Sequence, residues 1–166
     1  MMKKFLMVMA LVCMMMIGTA SLADGPVLFV ELPEDALMIE DVQFDDGDFI
    51  QTYQLSGGAR VQMLRYAAFD MTLEDLAEGE WTGYTQKQAM DITQVSGCPA
   101  SGLMLKYKDE AGTSLTVYLI MVEAEAQKLL MTAAFPDSLG EEQIASAVEA
   151  WLNTMTVSGI EDGEVG

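Results

Sequence analysis

The sequence contains no histidine, and that absence removes several kinds of chemistry at once. A Ser-His-Asp or Cys-His catalytic arrangement needs an imidazole as its base, and His-containing zinc or haem sites need one as a ligand. Cations are scarce too: 8 Lys and Arg stand against 26 Asp and Glu, for a net charge of −18. Nucleic-acid binding rests on Lys and Arg neutralising phosphates, so this composition argues against it. Cysteine and proline number only 2 and 4, and no repeat or low-complexity stretch is present. A length of 166 residues fits one globular domain.

What is present begins with an export signal. Met1 to Lys4 is a short basic start, and Phe5 to Ile17 is an unbroken apolar run about as long as a signal-peptide core. Ser21-Leu22-Ala23 offers small side chains where a signal peptidase must accommodate them. Residues 1–23 are therefore expected to be a signal peptide, with an exported, periplasmic or extracellular chain starting at Asp24. The run is shorter than the ~20 apolar residues of a membrane span, so no span is expected after cleavage. Lipoprotein processing at Cys13 fits less well, because Val12 stands where a small residue is required.

Loss of Cys13 with the signal leaves Cys98 alone, and one cysteine cannot form a disulfide within its own chain. Cys98 is then a candidate for an intermolecular disulfide or a reactive thiol, or else a small buried side chain. No cation lies near it in sequence to lower its pKa. Beyond the signal, methionines are scattered without close repeats and read as core filler.

From Asp24 onward, short apolar segments alternate with turn residues. Val27 to Leu32 reads as a first strand ended by Pro33. Val42 to Phe44 and Phe49 to Leu55 flank Asp45-Asp46-Gly47-Asp48, a hairpin pattern, and Gly57-Gly58 turns the chain into a strand over Arg60 to Ala67. Thr72-Leu73-Glu74-Asp75 resembles a capping box, with Leu73, Leu76 and Ala77 on one helical face and Gly79 or Gly83 as the stop. Tyr84 to Met90 is ambiguous, Asp91 to Val95 reads as a short strand, and Gly97 to Gly102 reads as a loop.

The second half carries the clearest pattern. Leu103 to Lys108, Thr113 to Val122 and Lys128 to Phe135 form three consecutive β segments whose short connections make antiparallel hairpins. In the middle segment Leu115, Val117, Leu119 and Met121 share one face, and Tyr118, Ile120 and Val122 the other. Such a strand is expected to be covered on both sides. Ser138-Leu139-Gly140-Glu141 then predicts a second capping box opening a helix from about Glu141 to Met155. Its apolar stripe is Ile144, Val148, Trp151, Leu152 and Met155. The organisation expected is one α+β domain over 24–157 and a flexible acidic tail over 158–166.

Ser96-Gly97-Cys98-Pro99-Ala100, followed by the meander and by Leu129-Leu130-Met131-Thr132-Ala133-Ala134-Phe135-Pro136 leading into a last helix, resembles the PsbP-like superfamily. That superfamily includes the photosystem II extrinsic protein and the bacterial DcrB-type envelope proteins. The resemblance spans about Val42 to Val157. It implies a central, largely antiparallel sheet with helices on its faces, in an α/β/α sandwich, and a non-enzymatic binding or assembly role. It carries over no catalytic motif. The chain departs from the pattern in having few cations.

Four candidate features follow. Asp45, Asp46 and Asp48 concentrate carboxylates that could hold Ca²⁺, although the spacing is not that of an EF-hand. Paired carboxylates could also serve a small hydrolase, given a cleft and a separation of ~5–9.5 Å. Trp81, between Gly79 and Gly83, is a candidate partner contact. Arg60, Arg65, Lys106, Lys108 and Lys128 all fall on predicted strands, where they either form a local anion-binding patch or guard edges and pair with neighbouring acids. The function expected is binding to another cell-envelope component, with an acidic surface suited to a basic protein or cationic ligand.

Overall fold

The computed structural model describes residues 25–45, 47–67 and 71–159. The expected signal peptide, Asp46 and residues 160–166 of the expected tail lie outside them. The chain runs β1 (Val27–Phe29), β2 (Leu37–Gln43), β3 (Phe49–Gln54), β4 (Arg60–Ala67), α1 (Leu73–Gly79), β5 (Gln86–Ala89) and β6 (Gln94–Val95). It continues through β7 (Cys98–Lys108), β8 (Ser114–Ala124), β9 (Gln127–Pro136), α2 (Glu141–Thr154) and β10 (Thr156–Ser158). The fold is α+β. An eight-stranded antiparallel sheet has the order β2-β3-β4-β9-β8-β7-β5, with β6 pairing the start of β7. A separate ribbon pairs β1 with β10, taking in Ser158 opposite Val27.

Two cores follow from the pleat of the sheet. On the first face Val61, Met63, Ile120, Val122, Leu129 and Met131 pack with Val27, Leu28 and Val30 and with Ile144, Val148 and Trp151 of α2. On the second, Leu64, Leu105, Val117, Leu119 and Leu130 pack with Leu73, Leu76 and Ala77 of α1. Alternation along β8 is as its sequence predicts, with Val117, Ile120 and Val122 wholly buried. Each such side chain contributes about 1.5–3 kcal/mol through burial. Phe135 stacks on Trp151 at 5.3 Å and locks α2 to the sheet.

The first capping box forms: Thr72 N–H donates to Asp75 Oδ2 at 2.8 Å, and Asp75 N–H donates back to Thr72 Oγ1 at 3.2 Å. The second does not. Gly140, at φ 85°, is the N-cap of α2, and Ser138 lies in a 3-10 turn before it. A partly exposed polar network supports that end instead. Lys106 Nζ donates to Thr116 Oγ1 at 2.7 Å, Thr116 donates to Asp137 at 2.6 Å, and Lys106 lies 3.9 Å from Glu141.

The segment Gly97–Gly102, read from sequence as a loop, is mostly strand. Ser96 (φ 51°) and Gly97 (φ 78°) form a two-residue turn that pairs Val95 with Cys98 and starts β7 early. Pro99 is tolerated there because it faces only short β6, ahead of the β7–β8 ladder that begins at Ala100. Gly102 marks a close approach: a Cβ would lie 2.9 Å from the Met90 sulfur.

Candidate partner-binding surface

The two edges of the large sheet differ in kind. β5 is four polar-leaning residues containing Lys87, whose ammonium sits 3.8 Å from Glu74 and 5.8 Å from the Tyr84 ring centre. Short length and a lysine are the usual protection of an exposed edge. β2 is seven residues long and exposed throughout. Leu37 is 66% exposed, Ile39 54% and Met38 49%, with Val42 and Phe44 continuing the apolar run. Among the described residues no strand pairs its outer side.

Acids interrupt that run at its middle. Glu40 accepts a hydrogen bond from Thr52 Oγ1 at 2.8 Å, and Thr52 in turn accepts one from Gln62 at 3.2 Å. Asp41 accepts one from Gln51 at 3.3 Å. As neighbours in an extended strand, Glu40 and Asp41 point to opposite faces of the sheet. Ile39 is the extra residue of a bulge, since Met38 pairs with Tyr53 and Glu40 with Thr52. Burial, and then the Asp41 carboxylate, raise the Tyr53 phenol above its ordinary pKa.

The loop joining β2 to β3 is closed by Phe44 N–H donating to the Asp48 carbonyl at 2.9 Å and Gly47 N–H donating to the Phe44 carbonyl at 3.0 Å. Beneath it lies Arg65, 1% exposed. Its Nε donates to the Gly47 carbonyl at 2.9 Å, Nη2 donates to the same oxygen, and Nη1 donates to the Pro26 carbonyl at 3.3 Å. The guanidinium also covers the Phe49 ring at 5.4 Å. Of the three candidate Ca²⁺ ligands, Asp45 is exposed, Asp48 is half-buried and Asp46 is outside the described residues. Among the described residues no three acidic, cysteine or histidine side chains gather as a metal site. The Gly47 carbonyl, an oxygen of the type Ca²⁺ takes, is engaged by a guanidinium.

Trp81 and Cys98 lie elsewhere. Trp81 is half-buried against the second core, edge-on to Tyr107 of β7 at 5.3 Å. Its indole nitrogen is buried with no hydrogen-bond partner among the described residues. Cys98 is a buried free thiol in the first core. Because β7 and β2 are separated by four intervening strands, neither residue joins the β2 surface.

Grooves also occur among the described residues. One of about 380 Å³ runs beside α2 over Phe135, Ile144 and Trp151, and among the described residues Glu31 is the one acid in its lining. Another, of about 350 Å³, includes Glu74 and Glu123. Both glutamate side chains are more than half exposed and each is paired with a lysine, Lys87 and Lys128. That is the setting of surface ion pairs. No long apolar helix capable of crossing a membrane occurs among the described residues.

The sequence pattern places the start of this strand at Val42, whereas β2 begins at Leu37 and includes an apolar stretch ahead of that point. The available signal was Leu37-Met38-Ile39, an apolar triplet following Glu34-Asp35. Its mixed Glu-Asp continuation and its bulge break the period-2 alternation by which strands are recognised.

No protein-family model matches this sequence, and neither does any curated protein. Solved structures similar to it include LpqN, involved in cell envelope biogenesis of Mycobacterium tuberculosis. It is 16% identical with a TM-score of 0.47, over 81% of this chain and 85% of that one. PA94 from Pseudomonas aeruginosa, a protein of unknown function, is 20% identical with a TM-score of 0.46, over 78% of this chain and 92% of that one.

Proposed function

We propose that the chain is an exported, non-enzymatic module of the cell envelope that holds another protein against the β2 edge of its sheet. The observation that carries this reading is the contrast between edges: β5 is short and lysine-guarded, whereas β2 presents Leu37, Met38, Ile39 and Val42 to solvent, with Phe44 exposed just after it. Clustered exposed apolar side chains on an open edge mark an interaction site. The PsbP-like resemblance supports the same reading, since an antiparallel sheet with a helix on each face is the architecture it implies.

The test is a crosslinked pull-down of the tagged full chain, produced in its own host, beside a Leu37→Lys/Ile39→Lys variant. The reading requires a partner captured by the unsubstituted chain and lost by a variant that still melts at the same temperature. Equal capture by both would remove β2 from the account.

A further inference from the structure

We infer that the partner adds an extended, cation-bearing strand to β2, extending the sheet by one strand, an inference that rests on the docking reading above. Three observations lead to it. From Leu37 to Val42 the outer backbone groups of β2 are paired by no described strand, and alternate N–H and C=O groups on such an edge are a ready ladder for a further strand. Exposed apolar residues flank the centre of β2 on both sides. At the centre, Glu40 and Asp41 offer one carboxylate to each face of the sheet.

Charge decides between a second copy and a different chain. An antiparallel pairing of two copies over the full length of β2, Leu37 to Gln43, sets Glu40 opposite the second Glu40. Like charges directly opposite destabilise a strand pair, and each chain carries a net charge of −18. A segment with adjacent Lys or Arg, flanked by β-branched residues, meets both carboxylates and both apolar flanks. The occupant is therefore a cationic segment of another protein. Glu40 and Asp41 keep their bonds to Thr52 and Gln51 in this arrangement, because a carboxylate accepts more than one hydrogen bond.

The probe is the capped peptide Val-Thr-Val-Lys-Lys-Val-Thr-Val, titrated into the full-length protein and followed by fluorescence anisotropy. Two further peptides carry methyl groups on alternate backbone nitrogens, one on the odd and one on the even positions. Saturable binding is expected, about tenfold weaker when both Lys are replaced by Glu. One methylated peptide should bind and the other should not, because an added strand presents only one of its edges to β2. Amide exchange over Leu37 to Gln43 should slow in the complex.

Equal behaviour of the methylated peptides, equal affinity of the Lys and Glu peptides, or no saturation at millimolar concentration would each overturn the inference. So would a dimer of the chain alone that Ile39→Lys dissociates, since the occupant would then be a second copy. If the peptides fail while the Leu37→Lys/Ile39→Lys variant still loses its captured partner, strand addition falls and the docking surface stands. If that variant retains the partner as well, both fall.

Discussion

Thr52 donates to Glu40 across the outermost strand pair at 2.8 Å, so the acid at the centre of the exposed edge is oriented by the strand behind it. Gln62 extends the chain of bonds to the next strand by donating to Thr52 at 3.2 Å. A single polar ladder therefore crosses β4, β3 and β2 and ends at a carboxylate at the outer rim.

Arg65 is the structural anchor of that edge, because it bonds Gly47 in the β2–β3 loop and Pro26 ahead of β1. Arg65→Ala leaves two carbonyls without their donor, at about 1–3 kcal/mol each where they stay buried. Urea unfolding should show a loss of roughly that size, with faster amide exchange at Phe44 and Gly47. Arg65→Lys should not restore it, since an ammonium lacks the planar fork that reaches both carbonyls.

Thr72→Ala removes the side-chain cap of α1 and should cost about 1 kcal/mol. The Thr72 backbone N–H, followed by its hydroxyl, holds the Asp75 carboxyl below its ordinary pKa. A lowered folded-state pKa gives stabilisation that is present above the unfolded value and lost as pH falls through the folded one. The difference between parent and Asp75→Asn should therefore be seen at neutral pH and shrink in acid below the ordinary aspartate range. A difference that grows on acidification would contradict this role.

Trp151→Ala should be the most damaging of these changes. Trp151 is 3% exposed and stacked on Phe135, and truncating a buried tryptophan costs about 3–5 kcal/mol. Against a total stability of about 5–15 kcal/mol, the variant should melt far lower or fail to fold. Chemical denaturation followed by circular dichroism measures it.

Cys98 should be silent towards a thiol reagent in the folded protein and react fully in denaturant, because its side chain is buried in the first core. Rapid labelling of the native protein would show that the β6–β7 turn opens readily.

The fold was largely legible where one physical signal dominated. β8 alternates so regularly that its sequence alone separates two buried faces, Val117-Leu119 and Ile120-Val122, which pack into different cores. Thr72 and Asp75 marked a helix start by reciprocal bonding, and that box is formed. Ser138 and Glu141 have the same spacing and the helix begins at Glu141 as expected, yet its N-cap is Gly140 at φ 85° rather than Ser138, with a network from distant Lys106 and Thr116 nearby. Only tertiary structure brings those groups together. The same holds for β2. Its acids were visible in sequence, but exposure of Leu37, Met38 and Ile39 depends on which strand ends the sheet, and no local pattern specifies that. The acidic loop was legible as a turn. Its hold on Arg65, 18 residues away, was not.

Replacing Ile39 should leave the melting temperature nearly unchanged, as exposed substitutions shift stability by about 0.5 kcal/mol or less. That makes position 39 suitable for a photo-crosslinking residue, with position 87 on the opposite edge as its comparison. The most direct test of the account illuminates cells of the host carrying each form at low and high salt and maps the crosslinked sites. Adducts are expected from position 39 to a lysine- or arginine-bearing extended segment of one envelope protein, reduced at high salt, and none from position 87. Adducts from position 87 alone, or adducts from position 39 to a helical or acidic segment, would contradict it.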